Sequence, residues 1–285
     1  MIIIADSGST KTDWRICSVN GTFHQKETVG LNPNFSTTGD FNLALKEAFL
    51  PSEKEEITEV WFYGAGCGNE KNQQWVASNL KNCFTRAEIH VASDMLGAAR
   101  ALCGQQPGMA AILGTGMNTC LYDGNKIVAN HFSLGYVLGD EGSGAYLGKQ
   151  LITDWLKDRL PAELEANFTR RFNLTKSETI ENIYRKPLPN RFLAQFAKFI
   201  YQNLKHDYCI ELVVGAFRSF LREQIKTYPD YEKYTLHLTG SVAFYFGNLL
   251  RRVASDEQVN IGKIVEKPIA ALAIYHTENK MTGID

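Results

Sequence analysis

Six short stretches of this chain set polar, chemistry-capable residues at the ends of apolar runs. Asp6 closes the run Ile2-Ile3-Ile4-Ala5 and opens Ser7-Gly8-Ser9-Thr10, a small polar turn rich in backbone N–H groups. Such a turn can cradle a phosphate, and the carboxylate ahead of it can hold the Mg²⁺ that comes with one. Taken alone, the stretch reads first as an ordinary hairpin with a polar tip. Asn32 and Asn34 share the loop 31–36, where two carboxamides could bind a polar ligand, although Asn and Pro are also plain turn residues. Asp94 follows the carboxyl end of an apolar run, where ligand sites of α/β folds gather, and Asp is equally common at a helix start. Gly114-Thr115-Gly116 is a second small-residue turn. Asp140 and Glu141 lie in the stretch 131–148, which holds five glycines. Acids there suit the helix macrodipole, and glycine this dense also suggests close backbone approach to a ligand or tight packing. Gly240-Ser241 opens a helix and offers backbone donors to a nucleotide.

These residues need elements to hold them. The β-branched run at 2–4 suits a buried strand, and Thr12, Trp14 and Ile16 alternate with Asp13 and Arg15 at period two. A strand pair is therefore expected over 2–19, with Asn20-Gly21 turning into a third strand over 22–29. Asp40 is expected to cap a helix carrying Phe41, Leu45 and Phe49. A strand over 57–63 ends in Gly64-Ala65-Gly66-Cys67-Gly68 and feeds a helix over 72–81. A strand over 87–91 feeds a helix over 95–102, capped by Ser93 or Asp94. This alternation is that of an α/β fold. Gln105-Gln106-Pro107-Gly108 breaks it and marks a domain boundary. Beyond it the strand–turn–strand opening returns at 109–122, with Gly116 set against Gly8. Helices are expected over 144–159, 162–172, 176–184, 190–204 and 207–228, the third begun by a Thr175–Glu178 capping box. A strand over 234–238, a helix over 243–252 and a buried final helix from Pro268 complete the chain.

Composition narrows the classes. The 285 residues are 44% hydrophobic, enough for a large core, and the net charge of -1 argues against a nucleic-acid binder. The chain starts directly on a strand without a secretory h-region, and no apolar run approaches the roughly 18 to 20 residues of a membrane span. Six scattered cysteines, none in a CxxC pair, read as reduced thiols and not as a zinc site. A cytoplasmic location is the expectation.

In order along the chain, these stretches resemble the actin-like ATPase superfamily of sugar kinases, Hsp70 chaperones and actin. Asp6–Asp13 looks like its first phosphate segment, Leu113–Thr119 like its second and Leu238–Ala243 like its adenosine segment. Within it the chain most resembles the N-acetylglucosamine kinase branch, grouped with the BadF/BadG/BcrA/BcrD ATPases. That rests on Leu31-Asn32-Pro33-Asn34, on Ser93-Asp94 opening a helix, on Gly114-Thr115-Gly116-Met117-Asn118 and on Gly139-Asp140-Glu141-Gly142-Ser143.

The resemblance implies two actin-like (ribonuclease H-like) α/β domains facing across an ATP/sugar cleft. The first would span 1–106 with the final helix, 268–285, packed back on it, and the second 107–267. It implies that Asp94 is the base taking the proton from a sugar 6-hydroxyl, and that Asn32 or Asn34, Asn118 and Asp140 hold the sugar. Ser7, Gly8, Ser9, Thr10, Lys11, Gly114, Thr115, Gly116, Gly240 and Ser241 would bind ATP. Asp6 would orient Mg²⁺, usually through water. An amino sugar and ATP are the implied partners, and dimers are common in the family. The chain departs from the family at Ser7, which stands where Gly is usual, and at Phe132-Ser133-Leu134-Gly135, in place of a glycine- and tryptophan-containing stretch. The zinc cysteines of the related repressor/kinase group are absent, and no helix-turn-helix precedes Ile2, which argues against that group. The rival reading is a BadF-type ATPase that drives a partner protein through a cysteine-held iron–sulfur cluster; Cys67 in its glycine setting is the nearest candidate.

Overall fold

The computed structural model describes residues 1–18 and 23–282, so the expected Asn20-Gly21 turn lies outside the described residues. Two compact units share the chain. One comprises Met1–Gln106, Gly124–Ile127 and Lys267–Asp285, the other Pro107–Asp123 and Val128–Glu266.

Among the described residues ten strands form two five-stranded sheets. They are β1 (Ile2–Ser7), β2 (Lys11–Cys17), β3 (Phe23–Val29), β4 (Glu59–Gly64), β5 (Glu88–Ser93), β6 (Gly108–Leu113), β7 (Met117–Tyr122), β8 (Ile127–Asn130), β9 (Leu236–Thr239) and β10 (Ile261–Val265). The first sheet runs β3-β2-β1-β4-β5 and the second β10-β9-β6-β7-β8. In each, an antiparallel hairpin continues into parallel strands: β1 pairs β2 antiparallel and β4 parallel, and β6 pairs β7 antiparallel and β9 parallel.

The period-two pattern of β2 does what it should. Thr12, Trp14 and Ile16 are buried with Ile3, Ala5 and Phe62 under the helices Thr38–Ala48 and Glu70–Cys83. Ile4 points to the other face. There it meets Tyr63, and Ile269, Leu272 and Ala273 of the last helix, Ile269–Thr282. The second sheet lays Met109, Ala111 and Leu113 against a large helical core centred on Phe168, Phe196, Phe199, Phe217 and Phe220.

Several elements differ from expectation. The helix Thr38–Ala48 is capped by Thr37; Asp40 lies three residues on and completes a capping box with it. The helix Pro51–Glu56, β8 and β10 had no clear pattern in the sequence. The stretch 190–204 is two helices, Pro189–Ala194 and Ala197–Gln202, joined where Phe196 N–H tightens onto the Leu193 carbonyl at 3.2 Å. Helix Asp207–Phe220 ends in a π turn, Leu221–Ile225. The two hairpin turns also correspond in a register different from Gly116 against Gly8. Ser7 and Thr12 are the last pair of the first hairpin, Leu113 and Met117 of the second. Gly114 is therefore the counterpart of Gly8, and the second turn is one residue shorter.

Candidate active site

In the first unit the carboxyl ends of β1, β4 and β5 lie side by side, with Ser7 opposite Gly64 and Gly64 opposite Ser93. Asp6 stands one residue before that line and Asp94 one residue beyond it, so two partly buried carboxylates share one sheet edge. Burial raises the Asp6 carboxyl to about 7; the charges of Asp94 and Asp13 add to the rise and Lys267 opposes it. Lys267 Nζ lies 3.1 Å from the Asp13 carboxylate. Burial also raises Asp94, while the Met95 N–H, 2.8 Å from Oδ1, favours its charged form. Ser93 accepts from Leu96 N–H at 3.2 Å and caps helix Asp94–Cys103, which fixes the Asp94 backbone at the helix start.

Three acids against one lysine leave an excess of negative charge, and a divalent cation would relieve it. The hard carboxylate oxygens of Asp6 suit Mg²⁺. Among the described residues no three His, Cys, Asp or Glu side chains group as a metal site. Asp6 would therefore share such a cation with water and phosphate oxygens, as Mg²⁺ is usually held.

The raised Asp6 value has a measurable consequence. The folded chain holds the Asp6 proton more tightly than the unfolded chain, so Asp6 costs stability once pH rises from 3.8 toward about 7, and the cost vanishes below that window. Asp6→Asn is expected to raise the thermal midpoint of the ligand-free protein at pH 8 by about 3 °C and leave it unchanged at pH 4. Melting curves at both pH values check this, and an equal shift at each would contradict it.

The turn after Asp6 is closed by Gly8 N–H donating to the Lys11 carbonyl at 2.9 Å. A relay behind it runs from Leu31 N–H to Ser7 Oγ (3.1 Å), from Ser7 to Thr12 Oγ1 (2.7 Å) and from Thr12 to the Val29 carbonyl (3.1 Å). The Ser7 hydroxyl is thus spent on joining the turn to the loop that carries Asn32 and Asn34. Asn32 is buried and donates to Ser9 Oγ at 2.8 Å. Gly8 and Thr10 form the exposed tip. Lys11 pairs with Glu27 of β3.

In the second unit, Gly114 N–H donates to the Gly116 carbonyl at 3.0 Å, closing the turn between β6 and β7. The helix Gly144–Leu156 docks its first N–H groups on that turn, Gly144 to the Gly114 carbonyl (2.8 Å) and Ala145 to the Thr115 carbonyl (3.0 Å). Gly240 passes over β6 with φ of 107°, and a Cβ there would stand 2.4 Å from the Leu113 carbonyl. Only glycine fits that approach. Gly114, Thr115 and Ser241 form one side of a cavity of about 600 Å³ that continues between Tyr201, Tyr245, Lys198 and Gln202. Its size is that of a small-ligand site, and its walls are largely apolar. Tyr201 and Tyr245 meet edge to face at 5.7 Å, and the Tyr245 hydroxyl donates to Glu266 at 3.1 Å. Asp140, buried and with φ of 60°, takes Met117 N–H at 3.3 Å beside the same turn. Asn118 accepts from Thr119 N–H at 2.9 Å and from Asn130 at 3.1 Å.

The structure thus gathers Asp6, Ser7 to Lys11, Asn32, Asn34 and Asp94 on one side of the first unit. It gathers Gly114 to Gly116, Asn118, Asp140, Gly240 and Ser241 in the second. Of the residues that line the cavity, Tyr201 and Tyr245 were not expected from the sequence. Tyr245 lies four residues past Ser241 on one helical face and could have been found by that spacing. Tyr201 comes from a distant helix and carried no signal.

Two mixed sheets, each opened by a hairpin with a small-residue turn, define the two-domain actin-like fold of the sugar kinases. The structure of a Porphyromonas gingivalis protein provisionally named N-acetylglucosamine kinase is 42% identical over 98% of this chain and 100% of that one, with a TM-score of 0.93. This chain belongs to the same family of sugar kinases. A Chromobacterium violaceum protein given the same provisional name shares the fold at 18% identity, TM-score 0.73, over 96% of this chain and 98% of that one. So does a Streptomyces griseus ROK family glucokinase solved with glucose and AMPPNP, at 15% identity, TM-score 0.58 and the same coverages. No family model matches the chain, nor does any curated protein.

Proposed function

We propose that the chain transfers the γ-phosphate of ATP to the 6-hydroxyl of an amino sugar, with N-acetylglucosamine the first candidate. It would do so in the cytoplasm, as a member of the BadF/BadG/BcrA/BcrD group. The observation that carries this reading is the pair Asp6 and Asp94 on one sheet edge, one behind a phosphate-type turn and the other at a helix start. The name of the 42%-identical relative supports the choice of sugar.

Phosphoryl transfer asks a protein chiefly to align the attacking hydroxyl and to neutralise charge on the phosphate oxygens. The 6-hydroxyl would be held against Asp94, whose burial-raised proton affinity makes it the better base, and Asp94 would take its proton as the bond to phosphorus forms. The backbone N–H groups of the two hairpin turns would donate to phosphate oxygens. Asp6 would hold Mg²⁺, which when bound supplies positive charge to the phosphates. In the domain roles we assign, residues 1–106 with 268–285 take the sugar and the first phosphate contacts. Residues 107–267 take the second phosphate contacts and the adenosine, with the base between Tyr201 and Tyr245. Asn34, Asn118 and Asp140 would hold the sugar, and Asn32 would support Asn34.

The test is ATP consumption across a panel of amino sugars. Turnover should rise sharply with the true acceptor and yield a sugar 6-phosphate. Equal turnover with and without every sugar would reject the kinase reading.

A further inference from the structure

The orientation of a carboxamide can be read where one partner is a group that can only donate or only accept. Asn72, in the first turn of helix Glu70–Cys83, offers such a case. Its side chain lies 2.7 Å from the Gly66 carbonyl, which can only accept, so the atom facing it is Nδ2. The same Nδ2 lies 3.1 Å from the Asn34 side chain, which must therefore turn its Oδ1 to Asn72. One nitrogen with two hydrogens serves both contacts. Asn34 is then fixed with its oxygen on Asn72 and its Nδ2 beside Gly66, where a Cβ would stand 2.9 Å from it, and the residue itself is exposed. Its backbone N–H is tied separately, 3.0 Å from Asn32 Oδ1. Asn72 is itself set by the helix cap, where its N–H donates to Asn69 Oδ1 at 2.9 Å.

We propose that Asn72 is a positioning residue for the acceptor sugar, turning Asn34 so that the sugar meets an N–H donor and not a carbonyl. The group recognised on the sugar is then an oxygen acting as acceptor, either a ring hydroxyl or the carbonyl of an N-acyl substituent. Without Asn72 the Asn34 carboxamide can rotate, and about half of its orientations present the wrong end. The inference rests on the reading of Asn34 as a sugar contact.

The experiment is steady-state kinetics with N-acetylglucosamine and ATP for the wild type, Asn72→Ala, Asn72→Asp and Asn34→Asp. Asn72→Asp is the sharper variant because it keeps the shape and loses both donated hydrogens. Asn72→Asp, whose carboxylate can only accept and so draws the Asn34 Nδ2 toward itself, and Asn34→Asp are expected to raise the sugar KM about tenfold or more, and Asn72→Ala about twofold, with the ATP KM within about twofold of wild type in each. A sugar KM for Asn72→Asp within twofold of a sugar-active wild type overturns this inference alone. So does an ATP KM that rises in step with the sugar KM, since that marks general distortion of the unit. A wild type without sugar-dependent turnover overturns the kinase reading and this inference with it.

Discussion

Asp94→Asn is expected to lower kcat by about 10²–10⁴-fold while leaving sugar and ATP affinity within about twofold. The substitution keeps the side-chain shape and can still accept the Met95 N–H seen at 2.8 Å, so helix Asp94–Cys103 should start where it does now. What it removes is the ability to take a proton. In wild type the rate should fall as pH drops through the raised Asp94 value, because protonated Asp94 cannot act as a base. The part of that acid limb due to Asp94 should be missing from the residual activity of the variant, leaving only what Asp6 contributes. Single-turnover rates with calorimetric binding check both parts, and a variant with most of its activity intact would remove Asp94 from the mechanism.

The second large effect is on stability. Gly148→Ala is expected to cost about 4 kcal/mol or more and to lower the melting midpoint by about 10 °C. A Cβ on Gly148 would stand 1.9 Å from the Leu193 carbonyl, a backbone atom that no rotamer change can move. Helix Gly144–Leu156 and the segment Pro189–Ala194 would have to part. The damage should also reach the cavity. The helix start is docked on Gly114 and Thr115, and the displaced segment runs into Ala194, Gln195 and Lys198 on the cavity wall. Protein that still folds should therefore show weakened ATP binding. A midpoint within about 2 °C of wild type would mean that the two helices separate without loss.

Much of this was legible because it is local. Thr12, Trp14 and Ile16 announce their strand by alternation, and Ser93 announces its helix by capping chemistry. The small-residue turns after Asp6 and Leu113 are visible as punctuation, and with Gly240-Ser241 opening the helix Ser241–Tyr245 they carry the fold. What was not legible depends on distance in sequence or on packing. β10 contains Gly262 and Lys263 and lacks a clear apolar pattern; Gly262 is there because a Cβ would stand 2.4 Å from the His237 ring. The break in the stretch 190–204 follows from close contact with Gly148, which no propensity reports. Asn72 meets Asn34 across 38 residues of chain, and Tyr201 meets Tyr245 across two helices. The match of Gly116 to Gly8 failed because β6 runs on to Leu113, which makes Gly114 and not Gly116 the first residue of its turn.

The first unit is drawn chiefly from two stretches, one on each side of the second in sequence. Its sheet is finished by Ser93, yet the face around Ile4 and Tyr63 is covered by Ile269, Leu272 and Ala273. During synthesis the ribosome makes the whole of the second unit, through Glu266, before it supplies that cover. The nascent amino-terminal sheet must wait with part of this apolar face bare beside helix Asp94–Cys103, the kind of surface that chaperones hold and that invites aggregation. The half of the protein made first is thus completed last, and it is the half that carries Asp6 and Asp94.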